Sequence, residues 1–439
     1  MTTISSFAGL QTALRGLLAQ QRGLDVTSHN IANANTVGYT RQEAALVAAR
    51  ALPVEAGALA SGAGAFIGQG VEVEAYRRLR DGFLDLQYRA QSMALGGHEA
   101  SAAALGSIEA AINEPGEHGI NALLGQFWKA WSDVGSYPES ASARQALVTH
   151  GESLAGAIRQ LDARLTSVAA DATAEYGQIV GPSGPIQTAA REIQQLNIAI
   201  SDAVRGGRAP NDLLDRRDVL LDELSQYGQV STSDADGDGA LEVSFGGAAL
   251  PLVPGTGAPN WPQALTTPGG RLGALIDLGP RMAGYRAQLN QVATALQTSV
   301  NAIHGAPAFF AATAGGEAAT ITVAIAASAV RAGSAGTAGS NDVALQIAAL
   351  RGGAADQRYA DLIGRIGADS ASVLRQLATS QALVDNAETR RQEVAGVAMD
   401  EEVTNMIRFQ RGYQASARVM NAVDEMMDQL INRTGRVGL

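Results

Sequence analysis

The sequence predicts a mainly α-helical, nested multi-domain chain carrying a small β insertion. Three observations predict it. Hydrophobic residues make up 46% of the chain but aromatics only 5%, so the apolar content is mostly Ala, Leu, Val and Ile, which favours long helices over aromatic-rich sandwiches. Apolar residues recur at 3–4 spacing through both ends and most of the middle. Between 228 and 268 the pattern changes to Asp-Gly and Gly-Gly turns flanking short alternating runs, the mark of hairpins.

Taken in order, residues 5–32 read as a helix whose seam is Phe7, Leu10, Leu14, Leu17, Leu24 and Ile31, with Gln21 and Ser28 as polar members. The stretch HNIANANTVGYTRQE (29–43) packs Asn30, Asn33 and Asn35 before Gly38 and Tyr39. Asn tolerates the left-handed conformation and Gly adopts it freely, so this is a defined helix exit. Residues 62–76 read as loop and short strand. From 77 to 227 the pattern is helical, interrupted at 113–119, 137–140, 181–185 and 205–211 by Gly- and Pro-containing breaks. Helix returns at 270–304, a second strand stretch (ITVAIA) lies within the Gly/Ala/Ser-rich 311–340, and helices run from 341 onward. The order is symmetrical, so the two ends should return to one place. In the last helix Met406, Phe409, Tyr413, Ser416, Met420, Val423, Met427 and Leu430 alternate at 3 and 4 spacing, a coiled-coil seam by pattern. Such a helix does not sustain itself; it needs the N-terminal seam and other copies of both.

Chemistry is sparsely encoded. Net charge is −11, with Lys129 the only lysine and no basic block, which argues against nucleic acid. There is no cysteine, hence no disulfide, thiol catalysis or thiolate metal site. No apolar run approaches the roughly 20 residues that span a bilayer, and the N-terminus lacks a basic, apolar, small-residue leader pattern. Asp234, Asp236, Asp238 and Gly239 match the opening of a calcium loop, but Phe245 stands where a bidentate Glu is required, so a hairpin turn is the better account. His29, His98, His118, His150 and His304 are scattered, and each reads as a surface or cap residue. No G-x-S-x-G elbow exists, and GAGAFIGQG fails the dinucleotide fingerprint. Acidic residues on helices read as solvated faces, and Trp128 and Trp131 as core and interface anchors. No cofactor, metal ligand or catalytic residue is expected.

The segment Asn30-Ile31-Ala32-Asn33-Ala34-Asn35-Thr36-Val37-Gly38-Tyr39 resembles the signature shared by axial proteins of the bacterial flagellum, with Val37 where that family often has proline. GQGVEVEAYRRLRDGFLDLQYR (68–89), GINALLGQFWKAWSDVGSYPESASARQAL (119–147), NDLLDRRDVLLDELSQYGQVS (211–231), 273–304 and AMDEEVTNMIRFQRGYQASARVMNAVDEMMDQLI (398–431) narrow the likeness to the hook-associated protein 1 (hook–filament junction) family. The matches cover most of the chain, leaving mainly 311–340.

The resemblance implies a flagellar axial protein: terminal helices forming a coiled coil, a helical-bundle middle domain and a small β-rich outer domain. It divides the chain into 1–36 (tube-lining helix), 37–227, 269–304 and 341–399 (helical middle domain), 228–268 and 305–340 (β-rich insertion) and 400–439 (C-terminal coiled-coil helix). It makes Asn30, Asn33, Asn35, Gly38 and Tyr39 a hinge between terminal and middle domains. It implies a ring of copies of the chain, with hook protein on the cell side, a second junction protein towards the filament, and an export chaperone on the C-terminal seam. It also implies export without a cleaved signal peptide, to a site outside the cell. Two alternatives are a hook or rod subunit, and a secreted enzyme carried on flagellar-type termini.

Overall fold

The computed structural model describes residues 8–54, 65–112, 114–116, 119–234, 236–335 and 337–429. The chain opens with α1 (Ala8–Asn33) and turns back at Gly38, whose φ is +77° and where a Cβ would overlap the Val219 side chain. It then forms an antiparallel ribbon, β1 (Gln42–Ala48) and β4 (Val71–Arg78), continued by β2 (Leu52–Val54) and β3 (Ala65–Ile67). The body follows as α2 (Gly82–Ile112), α3 (Ile120–Ser136), α4 (Ala141–Val180), α5 (Pro185–Arg205) and α6 (Asn211–Tyr227). A hairpin, β5 (Val230–Ser233) and β6 (Glu242–Phe245), precedes α7 (Gly270–His304). Next come β7 (Phe310–Ala311), α8 (Glu317–Thr320), β8 (Thr322–Val323) and α9 (Asp342–Ala348), then α10 (Ala354–Ala395) and α11 (Met399–Asp428).

The helix boundaries follow local chemistry. Ser140 caps α4 by accepting the Ala143 N–H at 3.2 Å, and Pro185 opens α5 where its missing N–H costs nothing. The core is a bundle of α2, α3, α4, α7 and α10. Along α7, Leu272, Leu275, Leu278, Met282, Tyr285, Leu289, Val292, Leu296 and Val300 are all buried, a stripe at 3–4 spacing that runs the whole helix. Phe127, Trp128, Trp131, Phe309 and Phe310 fill the far end of the bundle. Several polar ends in the bundle are paired: Trp128 Nε1–H donates to Asp356 at 3.0 Å, Tyr285 O–H to Asp369 at 2.6 Å, and Arg286 forks onto Asp162 at 2.9 and 3.0 Å, whereas the buried Trp131 Nε1–H has no hydrogen-bond partner.

Mainly α with small β insertions is the architecture observed, with two differences from the sequence reading. The stretches 228–268 and 305–340 do not meet in one sheet. Gln229 N–H donates to Pro268 O at the start of α7, whereas Phe310 is held by Asn301 at its end. The 35 residues of α7 put about 50 Å between them at 1.5 Å per residue. Each hairpin instead drives aromatics into the helical core, Phe245 at one end, Phe309 and Phe310 at the other. The second difference is the ribbon. Residues 42–48 supply a strand partner for β4 inside the span assigned to the helical domain, because QEAALVA carries no period-2 signal.

His304 is also not a surface residue. It ends α7, fully buried, with Nδ1 2.8 Å from Pro307 O and Nε2 accepting the Arg331 N–H at 3.0 Å. Burial pushes its pKa below the ordinary histidine value. The neutral ring therefore contributes stability that is complete above pH of about 6.5 and declines as pH falls below it. Urea midpoints at pH 7.5 and 5.5 should show this loss in the parent, and a smaller loss in His304→Gln; equal losses would remove His304 as the cause.

Candidate functional site: the terminal helix pair and its joint

α1 and α11 lie antiparallel, and glycine sets how close they come. A methyl group built on Gly9 would touch the Val423 side chain at 3.7 Å, one on Gly16 would meet Ser416 Oγ at 3.1 Å, and one on Gly23 would stand 2.6–2.8 Å from Phe409 ring atoms. At the next step Asn30 bonds Glu402. On both helices these positions are seven residues apart, a heptad seam in which Phe409, Ser416 and Val423 of α11 fill gaps left by glycine. Ala13, Ala19, Gly23, Thr27 and Asn30 are the buried positions of α1.

The leucine seam expected from the sequence is therefore not the closest contact. Leu10, Leu17, Leu24 and Ile31 are half-buried and Leu14 is 44% exposed. They flank the glycine seam because close backbone approach leaves no room for them on its axis. On α11, Phe409 and Val423 face glycines; Met406, Met420 and Met427 are half-buried and Tyr413 is exposed. Phe7, Leu430 and His118 lie outside the described residues. Recurrence of glycine at positions 9, 16 and 23 was the available signal, masked by glycine's usual reading as a helix weakener.

At the joint, Asn30 is 1% exposed and fully engaged. Its Nδ2 donates to Gln42 O at 2.9 Å and Glu402 Oε2 at 3.1 Å; its Oδ1 accepts Tyr39 O–H at 2.7 Å and Gln42 N–H at 3.0 Å. Asn33 closes α1 by donating to His29 O at 3.0 Å and accepting Thr36 O–H at 3.2 Å, whereas Asn35 is exposed. Burial, then Asp212, Asp215 and Glu402, push the Tyr39 phenol upward, so it stays a donor. Arg41 ties both chain crossings. Its N–H donates to Ala395 O at 2.8 Å, its carbonyl accepts Leu79 N–H at 2.8 Å, and its guanidinium contacts Glu401 at 2.6 Å and Glu402 at 2.8 Å.

A row of aspartates on α6 anchors this joint to the body, correcting the reading of helix carboxylates as solvated. Asp212 accepts Gln42 Nε2 at 3.0 Å, and Asp215 accepts Thr40 N–H at 3.0 Å. Arg78 reaches Asp215 at 2.7 Å and Asp218 at 2.9 Å; Arg80 reaches Asp85 at 2.6 Å and Asp218 at 3.0 Å. Arg89 reaches Asp222 at 2.7 Å, as does Arg391 at 2.9 Å. Burial alone would raise the Asp218 pKa, but Arg80, Arg78 and Arg89 hold it below the usual carboxylate range. The partners lie more than a hundred residues away in sequence, so the ladder could not be read from α6 alone.

The carboxylates of Asp234 and Asp238 are engaged by their own surroundings. Asp234 accepts the Gly237 and Gly239 N–H groups at 2.9 and 3.2 Å, and Asp238 accepts Ser201 at 2.8 Å and Arg205 at 2.9 Å. Among the described residues no cluster of three or more His, Cys, Asp or Glu could hold a metal.

Comparison with known proteins finds flagellar axial proteins along the chain. The model of the flagellar hook-associated protein FlgK helical domain matches residues 105–261, within the body. The C-terminal model of the basal body rod FlgEFG proteins matches 389–433, across the joint and α11, and the flagella basal body rod protein model matches 10–40, α1 and its exit. Flagellar hook-associated protein 1 of Bacillus subtilis is 28% identical over 98% of this chain and 99% of its own length. That of Salmonella typhimurium is 32% identical over 51% of this chain and 39% of its own. A solved flagellar hook junction protein FlgK from Burkholderia pseudomallei aligns at 20% identity and a TM-score of 0.45, over 52% of this chain and 47% of that one. Rod-type models match segments at both ends, the FlgK helical-domain model matches between them, and one relative aligns end to end, so the chain is similar along its length to flagellar hook-associated protein 1.

Proposed function

We propose that the chain is a structural adaptor of the bacterial flagellum that joins hook to filament. The family it resembles is structural rather than enzymatic, and among the described residues no helix is long and apolar enough to cross a membrane. The observation that carries the reading is the apolar surface left on the terminal pair. Leu14 and Leu18 on α1, and Val403, Ile407, Val419 and Met426 on α11, are 44–56% exposed, although the two helices already cover each other. Large apolar side chains left exposed on one helix pair mark it as an interaction surface.

In this proposal the pair packs against neighbouring copies to line the central tube, with Leu10, Leu14, Leu17, Leu24 and Ile31 and the Met406, Tyr413, Met420 and Met427 flank as contacts. Hook protein lies on the cell side and a second junction protein on the filament side. An export chaperone covers the α11 flank before export, which proceeds without a cleaved signal peptide. Asn30, Asn33, Asn35, Gly38 and Tyr39 shape the joint between terminal and middle parts.

Deleting residues 406–439 tests the proposal. Cells should build hooks without filaments and shed filament protein into the medium, while the purified remainder keeps its folded body. Filaments of normal length and number would sink it.

A further inference from the structure

The heptad match between α1 and α11 has a built-in ambiguity. Gly9, Gly16 and Gly23 are equivalent seats, and Phe409, Ser416 and Val423 recur at the same interval. Sliding α11 by one heptad away from the body, about 10.5 Å at 1.5 Å per residue, would put Phe409 over Gly16 and Ser416 over Gly9. Glycine in every seat would accept both. Sliding the other way drives α11 into the short connection at 396–398 from α10. Between these seats Gly412 passes the flexible end of Gln20, which can move aside, so among the four heptad positions only the fourth is distinctive. There Glu402, 2% exposed, receives Asn30 Nδ2 at 3.1 Å and Arg41 Nε at 2.8 Å. In the slid register the same carboxylate would face Gly23, buried without a partner, which is strongly unfavourable.

We infer that Glu402, held by Asn30 and Arg41, is the positioning residue that fixes the register of the terminal helix pair. The glycine seam supplies closeness without choosing among heptads, and one buried polar pair makes the choice, as a single polar seam residue does in coiled coils. The consequence is spatial. A slid pair would carry the exposed apolar side chains of α11 out of alignment with those of α1, so the surface offered to a neighbour depends on this one contact.

The chain contains no cysteine, so engineered pairs read the register directly. A Cβ on Gly16 lies 3.9 Å from Ser416 Cβ, within the roughly 3.5–4.5 Å of disulfides. In dilute full-length protein, Gly16→Cys/Ser416→Cys should oxidise readily. Gly9→Cys/Ser416→Cys, which reports the slid register, should yield about a tenth as much or less. Adding Glu402→Leu, which leaves Asn30 bonded to Tyr39 and Gln42 and leaves Arg41 on Glu401, should raise the slid product about tenfold. Adding Glu402→Gln, which can still accept from Asn30 and Arg41, should not. The inference is overturned if the slid pair is already abundant in the parent, if Glu402→Leu leaves it at the parent level while the native pair still closes, or if Leu and Gln act alike. Failure of both pairs in Glu402→Leu would also overturn it, because Glu402 would then hold the helices together rather than choose their register.

Discussion

Asp218→Ala should lower the unfolding free energy of the body by about 1.5–3 kcal/mol, because it takes a shared carboxylate from three largely buried arginines, which then keep only Asp215, Asp85 and Asp222. Arg78 and Arg80 sit 2.9 and 3.0 Å from this carboxylate, Arg89 lies at 3.4 Å, and none of the four side chains is more than 17% exposed. Asp218→Asn keeps an acceptor and the shape but not the charge, so it should fall between parent and alanine. Urea denaturation at neutral pH measures both. The same carboxylate predicts acid behaviour: its pKa is lowered on folding, so its contribution is complete above pH of about 4 and is lost as pH falls through the folded value. A midpoint shift for Asp218→Ala corresponding to less than about 1 kcal/mol, the worth of an exposed pair, would show that the ladder is not needed for stability.

Gly23→Val should separate the terminal pair while sparing the body. The new Cβ would stand 2.6–2.8 Å from Phe409 ring atoms, with branched methyls beyond it, and relief requires the helices to move apart. Overpacking of this kind costs about 1–3 kcal/mol, enough to open a two-helix contact whose remaining burial is modest. Amide exchange of α11 should accelerate by about one to two orders of magnitude for that cost, with α2, α4, α7 and α10 unchanged, and filament assembly should fail. Phe409→Ala on top of Gly23→Val should return much of the protection, since it vacates the volume the valine needs. Unchanged exchange in the single variant would refute the contact.

Much of the fold was readable because it rests on local periodicity. The α7 stripe from Leu272 to Val300 and the α11 pattern from Met406 onward are each carried by one segment. What escaped depends on partners distant in sequence. Gln42–Ala48 is a strand only because Val71–Arg78 lies beside it. The α6 aspartates look solvated until Arg78, Arg89 and Arg391 are folded against them. The asparagine-rich exit was legible as a helix end, and resemblance made it a hinge, but the bond from Asn30 to Glu402 was not legible because its partner lies 372 residues away. The glycine seam was missed for the opposite reason, since absence of a side chain registers in a hydrophobic pattern as a gap.

The double tether at Arg41 has a mechanical meaning. Since the outgoing and returning chains cross side by side and are bonded to each other there, twist applied to the far ends of α1 and α11 enters the body through two strands, which cannot swivel as one would. A pull on either helix alone loads the contacts at Gly9, Gly16, Gly23 and Asn30 simultaneously, in shear. Peeling them one at a time would take far less force, and the antiparallel layout denies an axial load that easier route.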